Sequence, residues 1–218
     1  MYLWLAEGQG WQITRVLDTH VHADHLSRSK RLAELVGATL HMPEDAPVSY
    51  PFSALGDGDA LQVGSATLEA VRTPGHTPES TSYLLDGRAL FTGDTLFLSA
   101  VGRPDLDATP EGSRERAREL YRSLRRLLAL GPETLVLPAH TSAPVAFDGQ
   151  PIGAPLSVVR EDVLVLQESE DIFVEKVAGR ATPTPENFER IVELNRAGEA
   201  PEGDLTDLEA GANRCAAG

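Results

Sequence analysis

Apolar and polar residues along this chain form short blocks whose spacing changes from that of a strand to that of a helix. The segments LQVG (61–64) and ATLEAVRT (66–73) alternate with a period of two and predict two strands. In SYLLDGRALFTGD (82–94), Asp86-Gly87 separates two apolar runs, which predicts a β-hairpin. Residues 112–130 predict a helix, because apolar residues recur on one stripe with arginines and glutamates opposite.

Shorter segments complete the pattern. YLWLAEGQGW predicts the end of a helix, and residues 29–36 predict a helix closed by Gly37. ITRVLDT, TLHM and TLVL predict buried strands. Beyond Pro155 the periodicity weakens, and we predict one good helix, with Thr184 as N-cap and Pro185 in its first turn, followed by an extended arm. The order of elements predicts an α/β (α+β) enzyme of layered sheets and helices, with its active site along one sheet edge.

Length and composition narrow the class of protein. The 218 residues suit one domain, which we divide into a catalytic core (1–150) and an extension of the same domain (151–218). The net charge of −14 disfavours nucleic acid as a partner. The sequence shows no membrane span and no signal peptide, so we expect a cytoplasmic protein. The single Cys215 fits a reducing compartment, and we interpret it as a thiol in a mobile tail.

The segment THVHADH contains three of the six histidines of the chain. His20 and His22 are two residues apart, so an extended backbone directs both rings to one side. Asp24 and His25 follow where the chain turns toward the next helix. Imidazole and carboxylate together are ligands for zinc, iron or manganese, so this loop predicts a metal site.

The remaining candidates also follow predicted strands. His76 lies in TPGHTPE, Asp94 ends LFTGD, and His140 ends LVLPAH. Only His41, inside TLHM, lies outside this pattern, and we interpret it as an ordinary strand residue. Five histidines and two aspartates therefore occupy four strand ends, which one metal centre would explain.

The ordered motifs HxHxDH, TPGH, FTGD and PAH resemble those of the metallo-β-lactamase fold superfamily over about residues 15–140. The resemblance implies a four-layered αββα sandwich. It also implies ligands for two metal positions, with Asp94 able to bridge both. The first position would have His20, His22 and His76, and the second would have Asp24, His25 and His140.

Two segments resemble the persulfide dioxygenases of this superfamily: TGDTLFLSAVGRPDL (92–106) and the C-terminal residues 173–196. That likeness implies one Fe(II) per chain, held by His20, His76 and Asp94, with a thiol persulfide and O2 as substrates and sulfite as product. The sequence leaves open whether the protein forms a homo-oligomer and whether it has a rhodanese partner. We name Asp24 and Arg103 as catalytic candidates. Arg103 could hold the anionic substrate, or it could support the loop by pairing with Asp105.

Two other functions remain open. A thioester hydrolase of the hydroxyacylglutathione hydrolase (glyoxalase II) type would use one or two Zn(II) at the same ligands. A non-catalytic relative is the second alternative. The charge and the lack of a basic segment disfavour a nuclease.

The sequence departs from its relatives at three places. Thr141-Ser142 follow His140 where glutathione-dependent relatives carry a tyrosine, so a carrier thiol other than glutathione is open. Glu79 stands in place of a glycine. The chain also begins without the strand pair that opens its relatives, which predicts exposed apolar surface near residues 1–20, covered by another chain or left open.

Overall fold

The computed structural model of the protein describes residues 2–141, 144–146, 148–179, 184, 186–209 and 215–217. Its strands, in chain order, are β1 (Arg15–Leu17), β2 (Thr39–Pro43), β3 (Ser53–Leu55), β4 (Ala60–Val63), β5 (Ala66–Arg72), β6 (Thr81–Leu85), β7 (Ala89–Gly93), β8 (Val101–Gly102), β9 (Leu135–Pro138), β10 (Ala154–Pro155) and β11 (Ala216–Ala217). Its helices are α1 (Tyr2–Gln9), α2 (Ser29–Val36), α3 (Pro110–Leu127), α4 (Leu156–Asp162), α5 (Glu170–Ala178), α6 (Phe188–Ala197) and α7 (Thr206–Glu209). A 3-10 turn covers Leu164–Gln167.

The strands form three sheets. A small parallel sheet has the order β1-β2-β3, and a six-stranded sheet has the order β10-β9-β7-β6-β5-β4. The larger sheet is antiparallel except between β7 and β9, which run parallel. The third sheet pairs β11 with β8, so the last described residues return to the segment that follows Asp94. This topology brings the ends of distant strands to one region.

Side chains on opposite faces of β5 define the layers. Leu68 and Ala70 pack with Leu55 of β3, which joins the two main sheets face to face. Val71, one residue further on, packs with Leu127 of α3 on the other face, as the alternation of a strand requires. Helix α2 covers the small sheet with Ala33. The order is helix, sheet, sheet, helix, and the predicted αββα sandwich is confirmed.

Most elements of residues 1–140 lie where the sequence predicts them. Helix α2 ends at Gly37, whose left-handed conformation (φ 68°) closes it. The hairpin of β6 and β7 turns through Asp86 and Gly87, which have φ 49° and 66°. Helix α3 begins at Pro110 with Thr109 as its N-cap, because the Thr109 hydroxyl accepts a hydrogen bond from the Gly112 N–H.

The C-terminal prediction is wrong in its details. Helix α6 begins at Phe188 with Asn187 before it, so Thr184 is not its N-cap, and Pro185 lies outside the described residues. Helices α4 and α5 are absent from the prediction, because each is short and its apolar residues lack a clear stripe. The predicted extended arm contains α7 and β11.

The extension packs on the main core. Phe173 of α5 and Val159 of α4 share an apolar cluster with Leu120 of α3. We therefore propose that residues 151–218 extend the domain formed by residues 1–150. None of the helices in the described parts of the chain has both the length and the apolar composition that crossing a membrane would need.

The N-terminal surface is apolar and open, as the sequence predicts. The side chains of Tyr2, Trp4, Leu5 and Trp11 are all exposed. Strand β1 forms the edge of its sheet, because its only strand partner in the described residues is β2.

Candidate metal centre

Three of the predicted ligands meet in a buried cluster. His20 follows β1, His76 follows β5 and Asp94 follows β7. One ligand atom from each lies within 4.8 Å of the others, and each residue is at most 2% exposed. Asp94 Oδ2 is 3.9 Å from His20 Nε2 and 3.6 Å from His76 Nε2. We call these three residues the first cluster.

In both His76 and His20, a contact of the ring Nδ1 fixes the orientation of the imidazole, and Nε2 is the nitrogen that faces the first cluster. His76 Nδ1 is 2.8 Å from the carbonyl oxygen of Arg103, which can only accept a hydrogen bond. His76 therefore carries its proton on Nδ1, and the Nε2 lone pair faces Asp94. His20 Nδ1 similarly contacts the Thr19 hydroxyl at 2.9 Å. This is the arrangement in which histidines bind metals through Nε2.

The first cluster fits a divalent cation. Among the described residues, neither oxygen of Asp94 has a well-oriented hydrogen-bond donor, and His20 Nε2 has no hydrogen-bond partner. Leaving such buried atoms unsatisfied costs about 1–3 kcal/mol each, which coordination would remove. Burial lowers the pKa of His20 well below its usual value, which keeps the ring neutral. Burial raises the pKa of Asp94, but the close contact with the His140 imidazole and the charges of His20 and His76 outweigh burial, so the pKa is strongly lowered.

A second group of candidates lies beside the first cluster. His140 Nε2 is 3.3 Å from Asp94 Oδ1 and 3.4 Å from Asp24 Oδ2. Asp94 therefore directs one oxygen to His20 and His76 and the other to His140, as a bridging carboxylate would. Burial raises the pKa of Asp24, yet its hydrogen bond and charge interaction with His25 leave that pKa lowered.

His22 and His25 lie in a separate group with Asp24, whose ligand atoms are also within 4.8 Å of one another. His25 Nδ1 is 3.0 Å from Asp24 Oδ1. His22 Nε2 lies 3.8 Å from Asp18 Oδ1, so His22 is shared between Asp18 and this group. The resemblance would place His22 in the first cluster; in the structure His22 groups with Asp24 and His25, and its ring centroid is 4.4 Å from that of His20. The ligand roles of all seven residues stay predictions.

Cys215 is a candidate that sequence reasoning missed. Its sulfur, an oxygen of Asp24 and a nitrogen of His140 lie within 4.8 Å of one another. Cys215 is 1% exposed, so the interpretation as a thiol in a mobile tail is wrong. Burial raises the pKa of the thiol, and the nearby carboxylates of Asp94 and Asp24 raise it further. No local motif marks this cysteine, since it reaches the site through the pairing of β11 with β8.

Arg103 has the geometry of the loop-supporting alternative. Its guanidinium forms two hydrogen bonds to Asp105, from Nε at 2.8 Å and from Nη2 at 2.7 Å. The side chain is 1% exposed, and its carbonyl accepts the hydrogen bond from His76. Arg103 thus positions a ligand through its backbone, and its role toward substrate stays a prediction.

Two further residues hold the THVHADH loop. Glu79 is buried, and its Oε1 accepts a hydrogen bond from the Val21 N–H at 3.0 Å. Asn195 of α6 accepts a hydrogen bond from the Ser27 N–H and donates two, to the carbonyl oxygens of His22 and His25. The sequence marked Glu79 only as an unusual residue, and Asn195 is about 170 positions from its partners.

His41 lies away from these groups, as predicted. It belongs to β2, where it is paired with Leu17 of β1 and Ser53 of β3. It is in none of the groups of potential metal ligands found in the described residues. Burial is the main reason why its pKa is lowered. A buried imidazole remote from the candidate centre is a useful control.

Comparison with known sequences identifies relatives. A family model described as the metallo-beta-lactamase superfamily matches residues 1–140. A probable metallo-hydrolase of Burkholderia pseudomallei (strain 1710b) is 34% identical over an alignment of 225 positions, which covers 88% of this chain and 75% of that protein. A hydroxyacylglutathione hydrolase of Pseudomonas putida (strain F1) is 35% identical over 140 residues, which cover 63% of this chain. The chain spans about half the length of that hydrolase, 51%.

Two solved structures resemble the fold over nearly the whole chain. A metallo-beta-lactamase from Staphylococcus aureus subsp. aureus COL has a TM-score of 0.81 and 26% identity, covering 91% of this chain and 62% of its own. ETHE1 from Myxococcus xanthus has a TM-score of 0.77 and 32% identity, covering 90% of this chain and 82% of its own. The match to ETHE1 therefore covers a larger share of this chain than the match to the hydrolase does, 90% against 63%.

Proposed function

The chain belongs to the metallo-β-lactamase superfamily, and from that premise we propose that it oxidises a thiol persulfide with O2. One Fe(II) would be held by His20, His76 and Asp94. The persulfide, O2 and water would give the thiol, sulfite and two protons. In this balance the outer sulfur loses four electrons and O2 gains them.

One observation carries the proposal: two imidazoles and one carboxylate form a separate buried cluster. Two histidines and one carboxylate on one face are the ligand set of non-haem iron enzymes, because three positions stay open for substrate and O2. The chemistry that iron supplies when bound is electron transfer with O2, which zinc cannot supply. The resemblance of residues 92–106 and 173–196 to persulfide dioxygenases supports the same reaction.

The protein's own residues orient the ligands. The Arg103 carbonyl holds the proton of His76 at Nδ1, so that Nε2 faces the cluster. Burial of His20, His76 and Asp94 excludes bulk water from this side of the centre. Asp24, next to His140, is the candidate group for moving a proton at the open side, and it has the lowered pKa of an ionised carboxylate.

A thioester hydrolase is the second candidate. The observation that favours it is the position of Asp94 between the first cluster and His140 with Asp24, which would suit two cations. Two zinc ions would supply an activated water for attack on a thioester carbonyl. The 35% sequence identity with a hydroxyacylglutathione hydrolase over 140 residues supports this alternative.

Metal content and reaction separate the two functions. We expect protein purified without oxygen to contain one iron per chain, and iron-loaded protein to consume O2 with at least one of several thiol persulfides. His76→Ala should abolish O2 uptake, because it removes one of three ligands. Inductively coupled plasma mass spectrometry and an oxygen electrode measure both quantities.

The matched control is His41→Ala, which removes another buried imidazole and should leave O2 uptake nearly unchanged. Circular dichroism verifies that both variants fold. If the protein contains two zinc ions per chain and hydrolyses acyl-thioesters, its function is that of the hydrolase and not that of the dioxygenase. Equal loss of O2 uptake in both variants would contradict the assignment of His76 as an iron ligand.

A further inference from the structure

The C-terminal strand is docked beside the candidate centre by its backbone. Ala216 and Ala217 of β11 pair with Gly102 and Val101 of β8. The Arg103 N–H donates a hydrogen bond to the carbonyl oxygen of Cys215 at 2.9 Å. Residues 215–217 are therefore bound along the segment that follows Asp94, and the position of Cys215 is set by hydrogen bonds.

Gly102 permits this close packing. A Cβ at Gly102 would lie 1.9 Å from the carbonyl oxygen of Asp94 and 3.0 Å from His76 Cβ. No other residue type fits there without displacing the backbone. The strand that receives β11 thus lies directly against two members of the first cluster.

The side chain of Cys215 completes a set of donors on the second side of Asp94. Its sulfur lies within 4.8 Å of ligand atoms of Asp24 and His140, and the last two are 3.4 Å apart. Two ligands of one tetrahedral cation are separated by about 3.3–3.8 Å, since bonds to zinc measure about 2.0–2.3 Å. A small contraction around a cation would bring all three atoms into bonding range.

The Asp94 oxygen that faces His140 is a second indication of a cation at this position. Asp94 is 1% exposed, and neither of its oxygens has a well-oriented hydrogen-bond donor among the described residues. Its Oδ1 lies only 3.3 Å from His140 Nε2, on the side of Cys215 and Asp24. A buried carboxylate of this kind is normally paired or bound to a metal.

We propose that Cys215 is a ligand of a metal ion at the second position, together with Asp24 and His140. The inference rests on the metal-binding part of the proposed function and not on the reaction. On binding, the S–H bond breaks, the thiol proton passes to solvent and a metal–sulfur bond forms. The C-terminal strand, rather than a substrate, then fills one side of this position.

The proposal also predicts that the two positions select different metals. Sulfur is a soft ligand that favours zinc, whereas the first cluster offers only nitrogen and oxygen. The protein could therefore hold iron at His20, His76 and Asp94 while the second position takes zinc. The second ion would add to the backbone hydrogen bonds that dock β11, since the thiolate is bound to it.

Cobalt(II) tests the inference directly, because a thiolate bound to cobalt gives an intense near-ultraviolet charge-transfer band. Full-length protein, kept reduced and free of oxygen, is titrated with Co(II) alone. We expect the band to develop with the second equivalent. In Cys215→Ser the band should be absent, and affinity for the second equivalent should fall at least tenfold, while the first equivalent binds as before. X-ray absorption of zinc-loaded protein should show a sulfur neighbour that Cys215→Ser lacks.

The matched control is Ala216→Ser, which adds a hydroxyl to the adjacent, exposed residue of β11 and should retain the band. Two bound cobalt ions without the band in the wild-type protein would overturn the proposal, and so would failure of a second ion to bind. The band together with no O2 uptake from any persulfide would refute the proposed reaction and leave the cysteine ligand standing. The two failures are therefore distinguishable.

Discussion

Glu79 links an unusual residue in the sequence to the geometry of the site. Its carboxylate is buried, and it accepts the hydrogen bond of the Val21 N–H, which lies between His20 and His22. A glycine at this position could not supply that acceptor. Glu79, which departs from the family motif, thus supports the loop that carries four of the candidate ligands.

Replacing Glu79 should destabilise the loop measurably. In Glu79→Ala the Val21 amide loses its acceptor while buried, which costs about 1–3 kcal/mol. Glu79→Gln keeps an oxygen acceptor and should recover more than half of that loss. Chemical denaturation measures the free energy of unfolding of each variant. An alanine variant as stable as the wild-type protein would show that the hydrogen bond contributes nothing.

At the scale of single residues, the sequence identifies candidate ligands that local motifs mark, and it misses a residue that reaches the site through pairing with a distant strand. His20, His76, Asp94 and His140 can be predicted because each follows a strand and carries chemistry suited to a metal. Cys215 could not be predicted, since its position depends on a two-residue strand pairing some 110 residues away along the chain. Pairing of that kind leaves no periodic pattern in the sequence.

Helices α6 and α7 hold the loop of residues 20–25 from the C-terminal side. Asn195 of α6 forms hydrogen bonds of 2.8–2.9 Å to the backbone of His22, His25 and Ser27. Glu209 of α7 accepts a hydrogen bond from the Leu26 N–H at 2.7 Å and pairs with Arg28. Elements remote in sequence thus determine the backbone from which the ligands project.

Removing the Asn195 amide should weaken both the fold and the metal site. Asn195→Ala breaks three hydrogen bonds of a buried residue, for which we expect a loss of about 2–4 kcal/mol. For a chain of this size that corresponds to a fall in Tm of roughly 5–10 °C. Metal affinity should fall as well, because the carbonyl groups of His22 and His25 are released. Calorimetry and a metal titration measure the two effects.

Glu193→Ala provides the control on the same helix. Glu193 is exposed and pairs with Arg190 three residues earlier, an interaction worth less than about 0.5 kcal/mol. Its loss should leave both Tm and metal affinity nearly unchanged. If Asn195→Ala lowers Tm but leaves metal affinity intact, α6 stabilises the fold without positioning the ligands.

For the whole molecule, predictability follows the strength of the periodic signal. The strands and helices of residues 1–140 could be predicted because β5 has alternating apolar residues and α3 carries a complete apolar stripe. The αββα order of the layers is implied by the resemblance to the superfamily. Helices α4 and α5 could not be predicted, since their apolar residues become meaningful only when they pack with Leu120 and Leu124 of α3. Tertiary packing, and not local preference, determines that part of the fold.

The exposed N-terminal surface has a consequence for assembly. Trp4 and Trp11, the only tryptophans of the chain, are 74% and 71% exposed and belong to the segment that precedes the edge strand β1. Exposed apolar patches and unpaired strand edges both favour association. We expect the protein to associate with itself through this surface as its concentration rises, and Trp4→Glu to shift it toward monomer. Sedimentation velocity over a dilution series measures the distribution.

Tryptophan emission reports on the same surface, because both tryptophans belong to it. Association should shift the emission to shorter wavelength, since burial removes water from the indole rings, and dilution should reverse the shift. Leu164→Glu is the control, since Leu164 is 72% exposed on the 3-10 turn and should leave association unchanged. A wild-type protein that stays monomeric, with emission typical of hydrated tryptophan at every concentration, would contradict the prediction. In that case the surface needs a different partner chain or remains in contact with water.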